Sequence, residues 1–304
     1  MLIFAPHKEN KMTQERKTGQ AAANISQANG SMDFFPEPTG YGQLPDDPKG
    51  RKTILITNDD GYQAGGIRCL IGALRGLARI VVLAPDSPRS GFSASFTCTR
   101  PVTLRRIGDD GDVLVYVCSG TPVDCVKLAF HRFFSEKLPD LLVSGINHGG
   151  NDSICIMYSG TMGAVLEGCV VGIPSVGFSL LDHRKEADFS NAMPYVRQMT
   201  EMLLEHPMER GVALNVNIPA SEIKGVRVCR QADGLWEKEF HFLKGDENED
   251  EAVFQVTGEY RNREEASTDT DRYWLEHDYV SVVPVEVDYT HHHQIDPFKY
   301  LETD

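Results

Sequence analysis

Between residues 53 and 230, short buried-looking runs of β-branched and aliphatic residues alternate with segments of helical period. Thr53-Ile-Leu-Ile-Thr57 is apolar without alternation, as a strand covered on both faces must be. Gly65 to Leu77 then places Ile67, Leu70, Ile71, Leu74 and Leu77 on one helical stripe. Ile80 to Ala84 is a second buried run, ending at Pro85. Strand, helix and strand within about 30 residues make a βαβ unit, whose short crossover forces parallel pairing. The alternation goes on through strands at 113–117, 140–144, 174–178, 212–218 and 225–230, with helices from Thr121, over 160–172 and over 191–204. Thr121-Pro122-Val123-Asp124 has an N-cap hydroxyl, a proline at the first helical position and an acid in the first turn. The pattern predicts a doubly wound α/β domain over residues 52–230.

The flanks read differently. Residues 1–51 are polar and Gly/Pro-rich and are expected to form a disordered leader. Residues 231–304 are expected to be a β-rich extension used in assembly, with strands near 253–260 and 279–287. No apolar run reaches the roughly 18 residues of a membrane span. Thirty Lys and Arg against 44 Asp and Glu give a formal charge of 30 − 44 = −14, which argues against duplex nucleic acid as a partner. Seven cysteines without a C-x-x-C pair fit a reducing, cytoplasmic setting. The chain has no P-loop, no G-x-G-x-x-G after its first strand and no G-x-S-x-G elbow, which weighs against NTPase, dehydrogenase and serine-hydrolase chemistry.

In such folds ligands collect at the carboxyl ends of the strands. Asn58-Asp59-Asp60-Gly61 follows the first strand and puts two carboxylates side by side, an arrangement a divalent cation offsets. The same tetrapeptide also reads as a plain Asp-Gly turn. After the second strand, Arg89-Ser90-Gly91-Phe92-Ser93-Ala94-Ser95-Phe96-Thr97 is rich in hydroxyls, and equally reads as a Ser-rich surface loop. The strand at 140–144 ends in Gly145-Ile146-Asn147-His148-Gly149-Gly150-Asn151, whose two amides offer both metal-grade oxygens and N–H donors for phosphate. His148 offers an acid or base, though a histidine in a turn is more often incidental. Tyr158-Ser159-Gly160-Thr161 opens a helix and is either an anion site or an ordinary N-cap. His291-His292-His293 reads as a polar patch rather than a metal site. An all-oxygen set of Asp59, Asp60, Ser90 and Asn147 suits Mg²⁺ or Mn²⁺ and suits Zn²⁺ poorly.

These blocks, in this order, resemble the SurE family of survival-protein nucleotidases. The resemblance rests on Thr57 to Gly61; Ala84-Pro85-Asp86 with Arg89-Ser90-Gly91; Ser144 to Asn147 with Gly149 and Asn151; and Tyr158 to Thr161. Gly120 to Cys125 and Tyr279 to Pro284 fit as well, while Ser153 replaces a frequent glycine. The resemblance implies a Rossmann-like, mainly parallel sheet and metal-dependent hydrolysis of nucleoside monophosphates. It implies one divalent ion per subunit on Asp59, Asp60, Ser90 and Asn147, phosphate contacts at Asn151, Ser159, Gly160 and Thr161, and a homodimer or homotetramer. Asp59, Asp60 and Asn151 are then the expected catalytic residues. The alternatives are a metal-dependent nucleoside N-glycosidase, or a nucleotide-binding module without turnover.

Overall fold

The buried runs assemble into one sheet with helices on both faces. The computed structural model describes Leu44, Asp47 and residues 49–245 and 250–303; most of the expected leader lies outside the described residues. The elements run β1 (Thr53–Thr57), α1 (Gly65–Leu74), β2 (Arg79–Pro85), β3 (Leu104–Asp109), β4 (Val113–Cys118), α2 (Pro122–Phe133) and β5 (Leu141–His148). A 3-10 turn (Ser153–Tyr158), α3 (Gly160–Val171), β6 (Ser175–Leu180), α4 (Met193–Glu205), β7 (Val212–Ile218), β8 (Gly225–Val228) and β9 (Gly234–Glu237) come next. The chain continues through β10 (Phe240–Lys244), β11 (Val253–Val256), β12 (Glu259–Asn262), α5 (Asp271–Glu276) and β13 (Tyr279–Glu286).

Nine strands form the main sheet in the order β3-β4-β2-β1-β5-β6-β7-β13-β8. Strands β4, β2, β1, β5, β6 and β7 pair in parallel. The chain winds outward from β1 through β2 and β4, then returns to lay β5 against the other edge of β1. That reversal is the topological switch point, where two crossovers leave on opposite faces and open a crevice. Period-two alternation sorts the core. Ile54, Ile56 and Val82 join Ile67 and Leu70 of α1 and Val196 of α4 on one face. Leu55, Val81 and Leu83 join Val126 and Ala129 of α2 and Val165 of α3 on the other.

The molecule does not divide at residue 230, as the sequence pattern had indicated. Residues 44–237 and 260–304 form one compact unit, because β13 inserts between β7 and β8 and extends the main sheet. β13 runs antiparallel to β7 and parallel to β8. The described residues 238–259 belong to a second unit, where β10 and β11 pair as an antiparallel hairpin with Phe242 against Phe254. The run expected as one strand near 253–260 is therefore split between β11, in that hairpin, and β12, which pairs with β9. Among the described residues no helix is long and apolar enough to cross a membrane.

Candidate functional site

β1 and β5 lie side by side, Thr57 opposite Ser144, so the segments that leave their carboxyl ends meet at the switch point. Asp59 and Asp60 come directly after β1, and β5 delivers Asn147 at its end. The His148 backbone N–H donates to Asp60 Oδ2 at 3.2 Å, which brings the residue after Asn147 onto the second carboxylate. On the other side the Arg89 N–H donates to the Asp59 backbone carbonyl at 2.6 Å, which anchors the residue before Ser90 to the Asp59 main chain. Segments 59–60, 89–90 and 147–148 therefore meet in one place. Asn147 is itself fixed, its Nδ2 donating to the Gly149 carbonyl at 2.8 Å, which turns Oδ1 away as the spare acceptor.

The start of α3 is aimed at Asp59. Thr161 Oγ1 donates to Asp59 Oδ1 at 2.6 Å, and the Gly160 and Thr161 N–H groups also favour the charged carboxylate. A Cβ on residue 160 would lie 2.8 Å from Asp59 Cβ, so glycine is what admits the carboxylate to the helix end. Gly160 and Thr161, expected to face a phosphate, thus serve Asp59 first, and the helix dipole favours that charge. Ser159 caps α3, accepting the Met162 N–H at 3.1 Å.

Burial pushes the Asp59 carboxyl above its ordinary range despite these hydrogen bonds. Asp60 is pushed up to about 7, by burial first and by the charge of Asp59 second. Neither carboxylate has an ion-pair partner among the described residues. Two adjacent buried acids without a counter-charge are what a divalent cation stabilises, and the remaining donors, a hydroxyl and an amide, are hard oxygens. No group of three His, Cys, Asp or Glu able to hold a metal exists among the described residues. His292, in the histidine run, is paired with Asp288 at 3.0 Å.

Asn151 sits in a buried polar net that composition alone does not reveal. Its N–H donates to Asn217 Oδ1 at 2.7 Å, its carbonyl accepts from Asn215 Nδ2 at 2.8 Å, and its Nδ2 donates to Ser179 Oγ at 2.8 Å. Ser179 is the penultimate residue of β6, and Asn215 and Asn217 lie on one face of β7. The signal that sequence reasoning passed over is two asparagines spaced by two inside an otherwise apolar buried strand. Ser153, next in the turn, adopts φ 52° and donates its hydroxyl to the Ala232 carbonyl while accepting from Tyr260. Asp271 accepts the N–H groups of Ser153 and Ala232 at 2.8 and 2.9 Å, tying the turn to the C-terminal segment.

With this geometry in hand, comparison with known proteins is decisive. The family described as Survival protein SurE matches residues 54–238. The chain belongs to the SurE family. A protein of Phocaeicola vulgatus named 5′-nucleotidase SurE is 46% identical over 80% of this chain and 93% of its own length. One of Bacteroides fragilis with the same name is 46% identical over 83% of this chain and 98% of its own. The crystal structure of the SurE protein from Aquifex aeolicus covers 83% of this chain and all of its own, with a TM-score of 0.71 at 36% identity. The SurE match spans Asp59, Asp60, Ser90, Asn147, Asn151 and Thr161.

Proposed function

We propose that this SurE-family chain is a metal-dependent 5′-nucleotidase, releasing phosphate from nucleoside 5′-monophosphates and also from 3′-monophosphates. The nucleotidase activity is the one its relatives are named for. The observation that carries the metal dependence is the buried Asp59–Asp60 pair at the switch point, which lacks a cation partner among the described residues. Asp59, Asp60, Ser90 and Asn147 would hold one Mg²⁺ or Mn²⁺ per subunit. When bound, such an ion supplies Lewis acidity toward the phosphoryl oxygens and makes water a better nucleophile.

The protein's own groups do the rest. One carboxylate of the pair orients the water for in-line attack and takes its proton. The Asn151 amide gives one hydrogen to Ser179 and has a second for a phosphoryl oxygen. Ser159 accepts from Met162 and keeps its own proton for the same purpose. Gly160 and Thr161 hold Asp59 in place, so they act on the phosphate through that carboxylate. Burial of this polar net excludes bulk water and strengthens each contact. The same proposal puts the chain in the cytoplasm as a homodimer or homotetramer, acting without duplex nucleic acid or a membrane; the net charge of −14 supports the former exclusion.

Phosphate release from a panel of nucleoside 5′- and 3′-monophosphates, with Mn²⁺, Mg²⁺ or chelator, tests this. Phosphate appears with the metals and stops with chelator. Free base without phosphate would instead indicate N-glycosidic cleavage, and binding without either product would indicate a binding module.

A further inference from the structure

We propose that Asp124 is a positioning residue for the site: it latches the loop that bears Ser90 onto the start of α2. Most of that loop has no hydrophobic anchor, with Ser90, Gly91, Phe92, Ala94, Ser95 and Phe96 all exposed. Its position is set by polar contacts. The Arg89 guanidinium donates to the carbonyls of Ser119 and Gly120 at 3.0 and 3.1 Å. Thr121 Oγ1 donates to the Ser95 carbonyl at 2.7 Å. Asp124 then takes the far end of the loop, accepting the Thr97 N–H at 2.9 Å and the Thr97 hydroxyl at 2.6 Å.

Asp124 does two separable things with one carboxylate. It completes the capping box of α2, accepting the Thr121 N–H at 2.8 Å. The bonds to Thr97, 27 residues earlier, add nothing to that cap and act only on the loop. The side chain is 7% exposed. A Cβ on residue 120 would fall 2.4 Å from Asp124 Oδ2, so Gly120 is what lets the carboxylate fold back over the turn. Burial alone would raise the Asp124 carboxyl, but the hydrogen bonds from Thr97 and Thr121 together hold it below its ordinary range. The latch is therefore charged at neutral pH, and charged acceptors make the stronger bonds.

The inference rests on Ser90 being a metal ligand, and the experiment separates the two. Amide hydrogen exchange of residues 90–97 is measured in the metal-free protein, and Mn²⁺ binding is measured by calorimetry without substrate. Thr97→Val removes the hydroxyl and leaves the α2 cap intact; Thr97→Ser restores it; Asp124→Asn removes the charge. Thr97→Val and Asp124→Asn should exchange faster at 90–97 and bind Mn²⁺ about tenfold more weakly, as loss of a charge-assisted hydrogen bond implies. Thr97→Ser should stay within about twofold of the parent on the same scale. Unaltered exchange and affinity in Thr97→Val would overturn the latch and leave Asp124 as a helix cap. A parent protein that binds no Mn²⁺ would overturn the metal assignment instead, while the exchange rates still decide the latch.

Discussion

Two loops meet the Asp59–Asp60 pair, and they are built in opposite ways. The end of β5 and the turn after it are a buried structure: Asn147, Asn151, Asp152 and Ser153 are each less than a tenth exposed, and the turn has partners on β6, β7 and the C-terminal segment. The loop after β2 is mostly exposed and is held by hydrogen bonds at Arg89, Ser93, Ser95 and Thr97. Buried polar nets are rigid because every missing bond is costly, while a loop held by a few partly buried bonds has fewer to lose. One side of the site is thus a fixed template and the other an adjustable arm that brings Ser90. The carboxylates between them belong to neither, and altering them should have the largest effect. Asp59→Asn should lower kcat about 10³-fold, a loss of about 4 kcal/mol in transition-state stabilisation. The metal-free variant should melt no lower than the parent, because a buried like-charge neighbour has been removed from Asp60. Turnover near the parent's rate, in a steady-state phosphate assay, would remove Asp59 from the chemistry.

The template side is sharpened by Asp271→Ala. That carboxylate accepts the backbone N–H groups of Ser153, Ala232 and Arg272. Truncation leaves buried donors without acceptors, for an expected loss of about 3 kcal/mol in unfolding free energy by urea titration. A loss below about 1 kcal/mol would mean that the turn stands without its C-terminal brace.

The contrast also explains what the sequence could say. Apolar runs and helical stripes report burial directly, so β1 and β7 were legible to the residue and β2 and α3 to within one at each end, while α1 stops at Leu74, short of the Leu77 its stripe suggested, and only the start of α2 was marked. So was the sheet edge at which Asp59, Asp60 and Asn147 leave β1 and β5, since strand ends in a parallel sheet share one side. The partners of Asn151 were not, because Asn215 and Asn217 look like interruptions of a strand until β6 is laid beside it. Nor was β3, an exposed antiparallel edge strand whose Arg105 and Arg106 carry no burial signal. The insertion of β13 between β7 and β8 is a long-range pairing that local composition does not encode.

A pH series tests whether the carboxylate pair is strained without its cation. Asp60 has its folded-state pKa raised to about 7, so its contribution to stability is fully present below the ordinary carboxylate value of 3.8. That contribution is lost as pH rises from 3.8 through 7, and Asp59, shifted in the same direction, adds to the loss. A divalent ion supplies the missing charge and competes with the proton, so Mn²⁺ should raise Tm more at pH 8 than at pH 5, by about 3 °C. Equal Mn²⁺ shifts at both pH values, read by scanning calorimetry, would mean that the pair is not what the ion binds. Asp60→Asn should flatten the difference.

The smallest effect is expected at His148, where the residue's place at the end of β5 and its side chain have separate roles. The link to Asp60 is made by the His148 backbone N–H, which any residue other than proline supplies. The imidazole looks elsewhere: Nδ1 is 3.2 Å from the Arg184 carbonyl and the ring packs edge-on against Phe189 at 4.8 Å. A histidine that protonated the leaving ester oxygen, to give the nucleoside hydroxyl, would need that ring free to turn toward the phosphate. His148→Ala should therefore change kcat by no more than about threefold, with any loss appearing as a small fall in Tm from the vacated contact with Phe189. A drop of about 10²-fold with a flattened basic limb of the pH–rate profile would reverse this, and would make His148 the general acid.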